Sequence, residues 1–195
     1  MSVVINLQEL KSKLHDKLIP SGWGLKLRSF TQSAEFDQVL EYLVEQSEKG
    51  KRFTPPLKYL FRAFEECPYD KLKVVIIGMD PYPQIGVADG IPFSCSLTGK
   101  EQPSLRHIFN AIESTYDLED YSRDVDLKRW SNQGVLLLNA ALTTEIGKSG
   151  THLKAWESFT SHVLEVLNSF NSGLVFVFMG RDAQTYSGLI GDHHF

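Results

Sequence analysis

Three short apolar runs do most to constrain the fold of this chain. The first, Lys73 to Ile77, is entirely β-branched after its lysine and is followed by a glycine. The runs over 134–139 and 173–180 are of the same kind. Runs that are apolar on both faces are typical of strands buried in a parallel sheet. The sequence therefore predicts three buried parallel strands.

Helical patterns occur before and between these runs. Apolar residues recur at helical spacing from Glu35 to Lys49, from Ser104 to Ser114 and from Leu153 to Phe170. Alternating strands and helices predict an α/β fold in which helices cover both faces of the sheet. No repeat, low-complexity tract or linker interrupts the chain, so we expect residues 1–195 to form a single domain.

The charge balance limits the kind of partner. A net charge of -4 argues against a protein that coats nucleic acid through a broad positive field, because non-specific affinity for DNA comes mainly from neutralised phosphates. A local cationic groove stays open, with Lys148, Lys154 and Arg181 as candidates. Each of these side chains is also an ordinary solvated surface charge.

The cysteine pattern predicts neither a metal site nor a disulfide. Cys67 and Cys95 form no CxxC pair and no zinc-type spacing with histidine. We expect two free, structural thiols. No segment approaches the ~18 apolar residues of a membrane span, and no signal peptide is apparent. We therefore expect no membrane association and a cytoplasmic protein, or a nuclear one if the source is a eukaryote or a virus.

Polar and aromatic residues follow the predicted strands, where ligands bind in sheets of this kind. Asp80 comes after the first strand and precedes Pro81, which restricts the backbone of both residues. Asn139 ends the second strand. Each has a structural alternative, because Asp-Pro is an ordinary turn and Asn139 can close a strand-end turn. Phe93, beyond a glycine-containing loop, is either a core residue or a stacking platform for a base.

Several motifs in one order resemble the family 1 uracil-DNA glycosylases. They are Lys73 to Tyr82, Gly90 to Ser94, Pro103 to Leu105, Gln133 to Asn139, Thr143, His152, Trp156 to Phe159, Gly173 to Gly180 and Ala183 to Gln184, preceded by Phe53 to Pro56. The resemblance implies a central, mostly parallel four-stranded sheet flanked by helices. It also implies a DNA-repair enzyme that hydrolyses the N-glycosidic bond of uracil in DNA and leaves an abasic site.

The resemblance assigns roles position by position. Asp80 would orient or activate the hydrolytic water and stabilise positive charge on the sugar in an oxocarbenium-like transition state. Asn139 would read the edge of uracil and mismatch cytosine. Phe93 would stack on the flipped base, and Tyr82 would exclude the methyl group of thymine. Met79, beside Asp80 in the motif, is assigned to the uracil pocket.

A DNA-binding surface is also implied. Pro103 and Ser104, like Gly180 and Arg181, correspond to loops whose backbone grips phosphates. His152 lies where the family has a histidine near DNA. The implied partner is uracil-containing DNA, single- or double-stranded, and a replication protein or an inhibitor protein is a further candidate. No cofactor is implied, because water is the nucleophile.

The chain departs from the family pattern in three places. Met79 and Pro83 stand where the family usually has glutamine and histidine; a poxvirus-like branch also has Asp-Pro-Tyr-Pro, which indicates a viral or divergent lineage. Val87 stands where a glutamine is common, so no polar contact to the base is expected there. The printed sequence ends at Phe195, before the family's His-Pro-Ser-Pro-Leu segment. We expect the loss of that histidine to cost roughly 10²–10³ in rate.

Two other interpretations stay open on the sequence. One is a protein of the same fold that binds uracil-containing DNA, or serves a replication complex, with weak or no turnover. The other is an unrelated phosphate-binding or hydrolytic α/β enzyme, although Gly147-Lys148-Ser149 lacks the upstream glycine of a P-loop and no GxSxG occurs. The retained Asp80, set beside a recognition pocket, favours the enzyme.

Overall fold

The computed structural model describes residues 6–116, 121–169 and 173–195. Its strands are β1 (Phe53–Thr54), β2 (Val74–Gly78), β3 (Val135–Asn139), β4 (Thr144–Glu145) and β5 (Val175–Phe178). A parallel sheet contains β2 in the centre, with β3 on one side and β5 on the other. These three strands lie within the three apolar runs, so the predicted parallel sheet is confirmed.

The register brings the carboxyl ends of the three strands to one edge of the sheet. Gly78 lies opposite Asn139, and Ile77 lies opposite both Leu138 and Phe178. Because β2 is central, the chain that leaves it emerges between the chains that leave β3 and β5. The residues after β2 are therefore the best placed to meet side chains from both neighbours.

The outer side of β5 carries the start of a further pairing. The amide of Phe195 donates to the carbonyl of Leu174 at 2.9 Å, and the amide of Phe176 donates to the carbonyl of Phe195 at 2.6 Å. One residue supplies two ladder bonds but does not make a strand. Among the described residues the parallel sheet therefore has three strands, where the resemblance implied four.

Helices surround the sheet. They are α1 (Leu7–Leu18), α2 (Trp23–Lys26), α3 (Arg28–Thr31), α4 (Ala34–Glu48), α5 (Arg62–Glu66), α6 (Pro103–Thr115), α7 (Lys128–Ser131), α8 (Leu153–Asn168) and α9 (Arg181–Gln184), with 3-10 turns at Leu57–Tyr59, Tyr69–Lys71 and Ser187–Leu189. The three predicted helices correspond to α4, α6 and α8; the predicted end of the last, Phe170, lies outside the described residues. Ser33 caps α4 by accepting the amide of Phe36.

The two faces of the sheet bury different cores. Val75, Ile77 and Leu136 face the larger core, to which α1 to α5 and α8 contribute. The alternate residues Ile76 and Leu137 face a smaller core that includes side chains of α6. Each fully buried aliphatic side chain contributes roughly 1.5–3 kcal/mol. The expectation of helices on both faces is confirmed, and the alternation explains why the runs are apolar throughout.

A small antiparallel pair lies apart from the main sheet. β1 pairs with β4, with Thr54 opposite Thr144, and the amide of Ile146 donates to the carbonyl of Arg52 at 2.8 Å. The pair brings residues 53–56 beside the segment that follows β3. Strands of two residues leave no periodic signal in the sequence, so neither was predicted.

Cys67 and Cys95 are free and buried, in agreement with the sequence-based expectation. No helix within the described ranges combines the length and the apolar character needed to cross a membrane.

Candidate active site

Asp80 lies two residues beyond the end of β2, and its carboxylate is fixed by the chain that follows β3. Its Oδ2 accepts a hydrogen bond from the amide of Gly150 at 2.6 Å. Burial raises the pKa of this carboxyl group, the bonds from Gly150 and from the Thr144 hydroxyl lower it, and the nearby Asp182 carboxylate raises it. Burial outweighs the hydrogen bonds, so the pKa of Asp80 is raised. The bond from Gly150 also fixes the direction in which the carboxylate points.

Neutral buried groups hold the segment that carries Gly150. The hydroxyl oxygen of Thr143 accepts a hydrogen bond from Trp156 Nε1 at 2.8 Å, and it lies 2.8 Å from Nδ1 of His152. Because that oxygen already accepts one bond, its own proton suits an unprotonated Nδ1. Burial lowers the pKa of His152, which also favours the neutral ring.

The position of His152 differs from the expectation that it contacts DNA. Its side chain is only 2% exposed, and its ring packs edge-on against Tyr42, with centroids 5.2 Å apart. A ring enclosed in this way has no surface to offer a phosphate. The sequence places a histidine at this position, but only the packing shows that it faces inward and supports the backbone near Asp80.

A cavity opens beside Asp80 at the same edge of the sheet. It encloses about 360 Å³, including its open mouth, and its walls combine aromatic, apolar and amide groups. Its lining includes three residues that the sequence assigned to a base pocket, together with the proline after Asp80: Tyr82, Phe93, Asn139 and Pro81. The structure therefore brings these sequence-predicted residues together.

Gly78 forms the floor between the two main recognition groups. A Cβ atom at this position would lie 2.7 Å from Asn139 Oδ1 and 2.8 Å from Phe93 Cζ. Both side chains therefore use the space that only a glycine leaves open. In the sequence Gly78 marks only the end of a strand, so this role was not predicted. The glycine two residues before Asp80 was the available signal.

Asn139 presents a free amide to the cavity. It is 4% exposed, and its side chain makes no hydrogen bond to any other described residue. A buried amide usually has a partner, because an unmet donor or acceptor costs about 1–3 kcal/mol. An amide without a protein partner in a cavity wall is suited to bind a polar ligand edge.

Phe93 has a backbone conformation that is rare for an aromatic residue. Its φ is 65°, and it is the one non-glycine residue with positive φ in the described ranges. Such a conformation costs of order 1–3 kcal/mol and persists only where the surroundings enforce it. The hydroxyl of Tyr82 donates to the carbonyl of Phe93 at 3.1 Å, which is one of the contacts that hold it.

Met79 packs against the chain at Gly150. It is not among the lining residues, and its terminal methyl is 3.5 Å from the point where a Cβ on Gly150 would lie. Its carbonyl accepts the amide of Ala141 at 3.0 Å. The side chain therefore packs against the loop that supports Asp80, and the structure does not place it in the uracil pocket.

Residues 64–194 match the family model of the Uracil DNA glycosylase superfamily. The chain belongs to this superfamily. It is 36% identical over 181 residues to a uracil-DNA glycosylase of Acinetobacter baylyi, covering 90% of this chain and 76% of that protein. It is 37% identical over 174 residues to uracil-DNA glycosylase 1 of Listeria innocua, covering 88% and 78%.

Solved structures agree with this membership of the uracil-DNA glycosylase superfamily. The mimivirus uracil-DNA glycosylase matches with a TM-score of 0.84 and 29% identity, covering 98% of this chain and 69% of that one. A variant of mimivirus UNG in complex with UGI matches with a TM-score of 0.83 and 28% identity, covering 98% and 70%. The α/β fold inferred from the resemblance is thereby confirmed.

The glycosylase chain presents two of its predicted DNA-binding loops on one groove. Ser104, in the first turn of α6, and Gly180, at the start of α9, both line a groove that also includes Phe93. Pro103 is exposed at the first position of α6. Arg181 is exposed and has no ion pair among the described residues.

The other two candidate cations are paired. Lys148 lies 2.8 Å from a carboxylate oxygen of Glu145, and Lys154 is paired with Glu157. Exposed pairs of this kind contribute little to stability and open readily for another anion. Of the three candidates, Arg181 is the one whose charge is unpaired in the described part of the chain.

Proposed function

We propose that this chain is a uracil-DNA glycosylase in which Asp80 acts on a uracil held between Phe93 and Asn139. The observation that carries the proposal is the fixed carboxylate of Asp80, directly before Pro81, in a chain that leads from β2 into a cavity lined by Phe93 and Asn139. The membership of the chain in the glycosylase superfamily makes uracil in DNA the substrate class. The reaction is hydrolysis of the N-glycosidic bond, which leaves an abasic site and free uracil.

The pocket selects uracil by its polar edge. The amide of Asn139 donates from nitrogen and accepts at oxygen, so it matches the O4 acceptor and the N3 donor of uracil. Cytosine presents the opposite polarity at both atoms, and its binding would leave buried groups unpaired. The ring of Phe93 stacks on the base, and Tyr82, which lines the same cavity, excludes the methyl group of thymine.

The carboxylate of Asp80 serves the bond-breaking step. The bond between the base nitrogen and C1′ of the sugar breaks, and its electron pair leaves with uracil. The positive charge that develops on the sugar is stabilised by the fixed negative charge of Asp80. A water oxygen then bonds to C1′ while its proton passes to the Asp80 carboxylate, from which it is returned to the uracil anion through solvent. The ionised form of Asp80 is the active form in both steps.

The base must leave the DNA stack to reach this pocket. We assign Ser104, Gly180 and Arg181 to the strand that carries it, because they share the groove next to Phe93 or border it. Backbone amides and one free guanidinium suit phosphate contacts. Pro103 shapes the first of these loops. His152 acts indirectly, through the backbone that holds Asp80.

Candidate protein partners follow from the relatives. A variant of mimivirus UNG has been solved in complex with UGI, so an inhibitor protein that covers the same groove is a partner to test. A replication protein stays a prediction from the sequence. We expect the chain to act where DNA is accessible, in the cytoplasm or, in a eukaryotic or virus-infected cell, in the nucleus.

The decisive experiment uses a single-stranded oligonucleotide with one uracil. Alkali cleaves the abasic sites that the protein creates, so strand breaks report uracil release. We expect breaks with the wild-type chain, none with matched thymine or cytosine oligonucleotides, and a rate lower by roughly 10²–10³ for Asp80→Asn. Asp70→Asn, an exposed carboxylate on a distant turn, is the matched control. A folded wild-type chain that retains the uracil strand uncut would overturn the proposal.

A further inference from the structure

A second carboxylate near the pocket has no part in the mechanism above. Asp89 is completely buried, with 0% of its surface exposed. Its Oδ1 accepts the amide of Ile91 at 3.0 Å. Its Oδ2 accepts the hydroxyl of Ser94 at 2.6 Å, the amide of Ser96 at 3.0 Å and the hydroxyl of Ser96 at 2.5 Å. Few side chains bind their own loop at so many points.

These bonds surround Phe93 along the chain. One donor is two residues before Phe93, and the others are one and three residues after it. The carboxylate therefore fixes the backbone on both sides of the residue that has a φ of 65°. An aromatic residue leaves that conformation unless its neighbours are held. The hydrogen bonds that Asp89 accepts hold the neighbours of Phe93 in place.

The ionic partner of Asp89 anchors the loop to the core. Nη1 of Arg62 lies 2.9 Å from Asp89 Oδ2, and Nη2 lies 3.2 Å from Asp126 Oδ1. Arg62 belongs to α5, which packs in the larger core. A buried carboxylate is tolerated when it is paired and fully hydrogen-bonded. The loop is therefore tied to α5 through a charge that lies behind the cavity wall, since neither Asp89 nor Arg62 lines the cavity.

The turn beside Asp89 fits the same anchor. Gly90 has a φ of 91°, and a Cβ there would lie 2.1 Å from the carbonyl oxygen of Tyr59 and 2.9 Å from Cβ of Arg62. The loop thus comes into close contact with the start of α5 directly after the carboxylate. This contact leaves the loop little freedom to shift as a unit.

We propose that Asp89 is a positioning residue that holds Phe93 in its left-handed conformation over Gly78 and so sets the stacking geometry for the base. The inference rests on the proposed role of Phe93. It also gives a reason for the Asp in Val87-Ala88-Asp89-Gly90, because a carboxylate accepts from several donors at once, whereas a neutral side chain accepts fewer.

Binding of free uracil separates this role from general stability. We would measure the inhibition constant of uracil and kcat/KM on the uracil oligonucleotide for Asp89→Asn, at a temperature well below its unfolding midpoint. Loss of charge-assisted bonds to the loop should raise the inhibition constant about tenfold and lower kcat/KM by at least as much. A purely structural role would lower the unfolding midpoint and leave the inhibition constant of the folded protein unchanged.

Two further variants keep the test decisive. Asp126→Asn removes the partly exposed carboxylate that Arg62 also contacts, and both constants should stay within about twofold of wild type. Ser96→Ala removes one donor and keeps the ion pair, so it should fold even where Asp89→Asn does not; we expect an increase in the inhibition constant of about threefold. Wild-type inhibition constants in both folded Asp89→Asn and Ser96→Ala would overturn the proposal.

Phe93→Ala tells the two hypotheses apart. If this variant binds uracil as wild type does, the stacking role itself is wrong and the inference about Asp89 falls with it. If it loses affinity while Asp89→Asn and Ser96→Ala do not, the proposed function stands and only the positioning role is refuted.

Discussion

Two loops leave the same edge of the sheet and meet at the site, but different forces hold them. The recognition loop, residues 79–98, contains the wall of the cavity and is fixed by the buried ion pair of Asp89 and Arg62. The support loop, residues 140–152, presents the Gly150 amide to Asp80 and is fixed by neutral contacts of Thr143 with His152 and Trp156.

The difference follows from what each loop stands beside. The support loop touches the carboxylate that must carry charge during the reaction, and a buried ion next to it would change its protonation. The recognition loop touches a neutral base, so its ion pair lies behind the lining and leaves amide and aromatic groups in front. The fully buried carboxylate of Asp89 thus anchors the recognition loop, whereas the Lys148–Glu145 pair of the support loop lies nearer the surface.

The sharpest way to break the comparison is to fill the space that both loops share. Gly78→Ala would place a Cβ 2.7 Å from Asn139 Oδ1 and 2.8 Å from Phe93 Cζ, so one or both side chains must move. Misplacement of about 1 Å can cost roughly 10² in rate, and we expect kcat/KM to fall by about that factor. Uracil release from the oligonucleotide measures it.

Gly188→Ala is the matched control, because a Cβ there meets nothing within 4 Å. We expect it to retain wild-type kcat/KM. If Gly78→Ala is equally active, the amide and the ring do not share a ligand across Gly78, and the pocket assignment is wrong.

Loss of the hydroxyl oxygen of Thr143 should lower the stability of the protein, because this oxygen holds the support loop. Thr143→Val keeps the shape of the side chain and leaves Trp156 Nε1 and His152 Nδ1 without their buried partner. At about 1–3 kcal/mol for each of the two unmet groups, we expect the free energy of unfolding to fall by roughly 2–6 kcal/mol. Urea denaturation measures the change.

Thr98→Val, at an exposed threonine that ends the recognition loop, should change stability by no more than about 0.5 kcal/mol. Equal effects of the two valine variants would mean that the support loop is not held through Thr143. A large loss of activity without loss of stability would place Thr143 nearer the chemistry than the structure does.

Acid should weaken the support loop through His152. Burial lowers the pKa of this ring from its ordinary value of 6.5, while Glu145 raises it and Lys51 lowers it. The unfolded chain therefore takes up a proton near pH 6.5 that the folded chain does not, and folding stability declines as the pH falls through that value. The loss levels off below the pKa of the folded state.

His152→Gln removes this contribution. The stability advantage of the wild type over this variant should be smaller at about pH 5.5 than at about pH 7.5, as measured by urea denaturation at each pH. His107→Gln, at an exposed histidine on α6, serves as the control. An advantage that grows on acidification would show that the folded state prefers the charged ring.

The sequence predicted the parallel sheet and the long helices better than it predicted the side-chain contacts that hold the two loops. The three strands of the parallel sheet follow from apolar runs and the helices α4, α6 and α8 from helical periodicity, and Tyr82, Phe93 and Asn139 were assigned to one pocket through family motifs. The support contacts depend on which way side chains turn after the chain folds. Thus His152 faces inward and Met79 packs on Gly150, neither of which any local pattern encodes.

The ion pair of Asp89 and Arg62, which holds the recognition loop, could not be predicted from the sequence for a different reason. Asp89 and Arg62 are 27 residues apart in the sequence, and their pairing joins a loop to a short helix that carries no strong periodic signal. The departure from the family pattern at the nearby Val87 was noticed, but such a departure does not identify an ion pair formed by Asp89 with a distant residue. Long-range ion pairs become readable only when the fold brings their elements together.

The smallest predicted effect concerns the charge that reaches Asp80 from outside both loops. Burial is the main cause of the raised pKa of Asp80, and the exposed Asp182 carboxylate on α9 adds to it.

Because Asp80 acts in its ionised form, kcat/KM should rise with pH through the pKa of that group. Asp182→Asn removes a negative neighbour, so the acidic limb of the profile should move to lower pH, and by less at high salt, since the charge is exposed. Asp182→Asn also removes repulsion from DNA phosphates. That effect multiplies kcat/KM by the same factor at every pH, so it does not move the pH at which the profile bends. Asp192→Asn, another exposed carboxylate, should leave the limb unchanged. An acidic limb that stays in place in Asp182→Asn would mean that burial and the neutral contacts of Asp80, rather than the charge of Asp182, set its protonation.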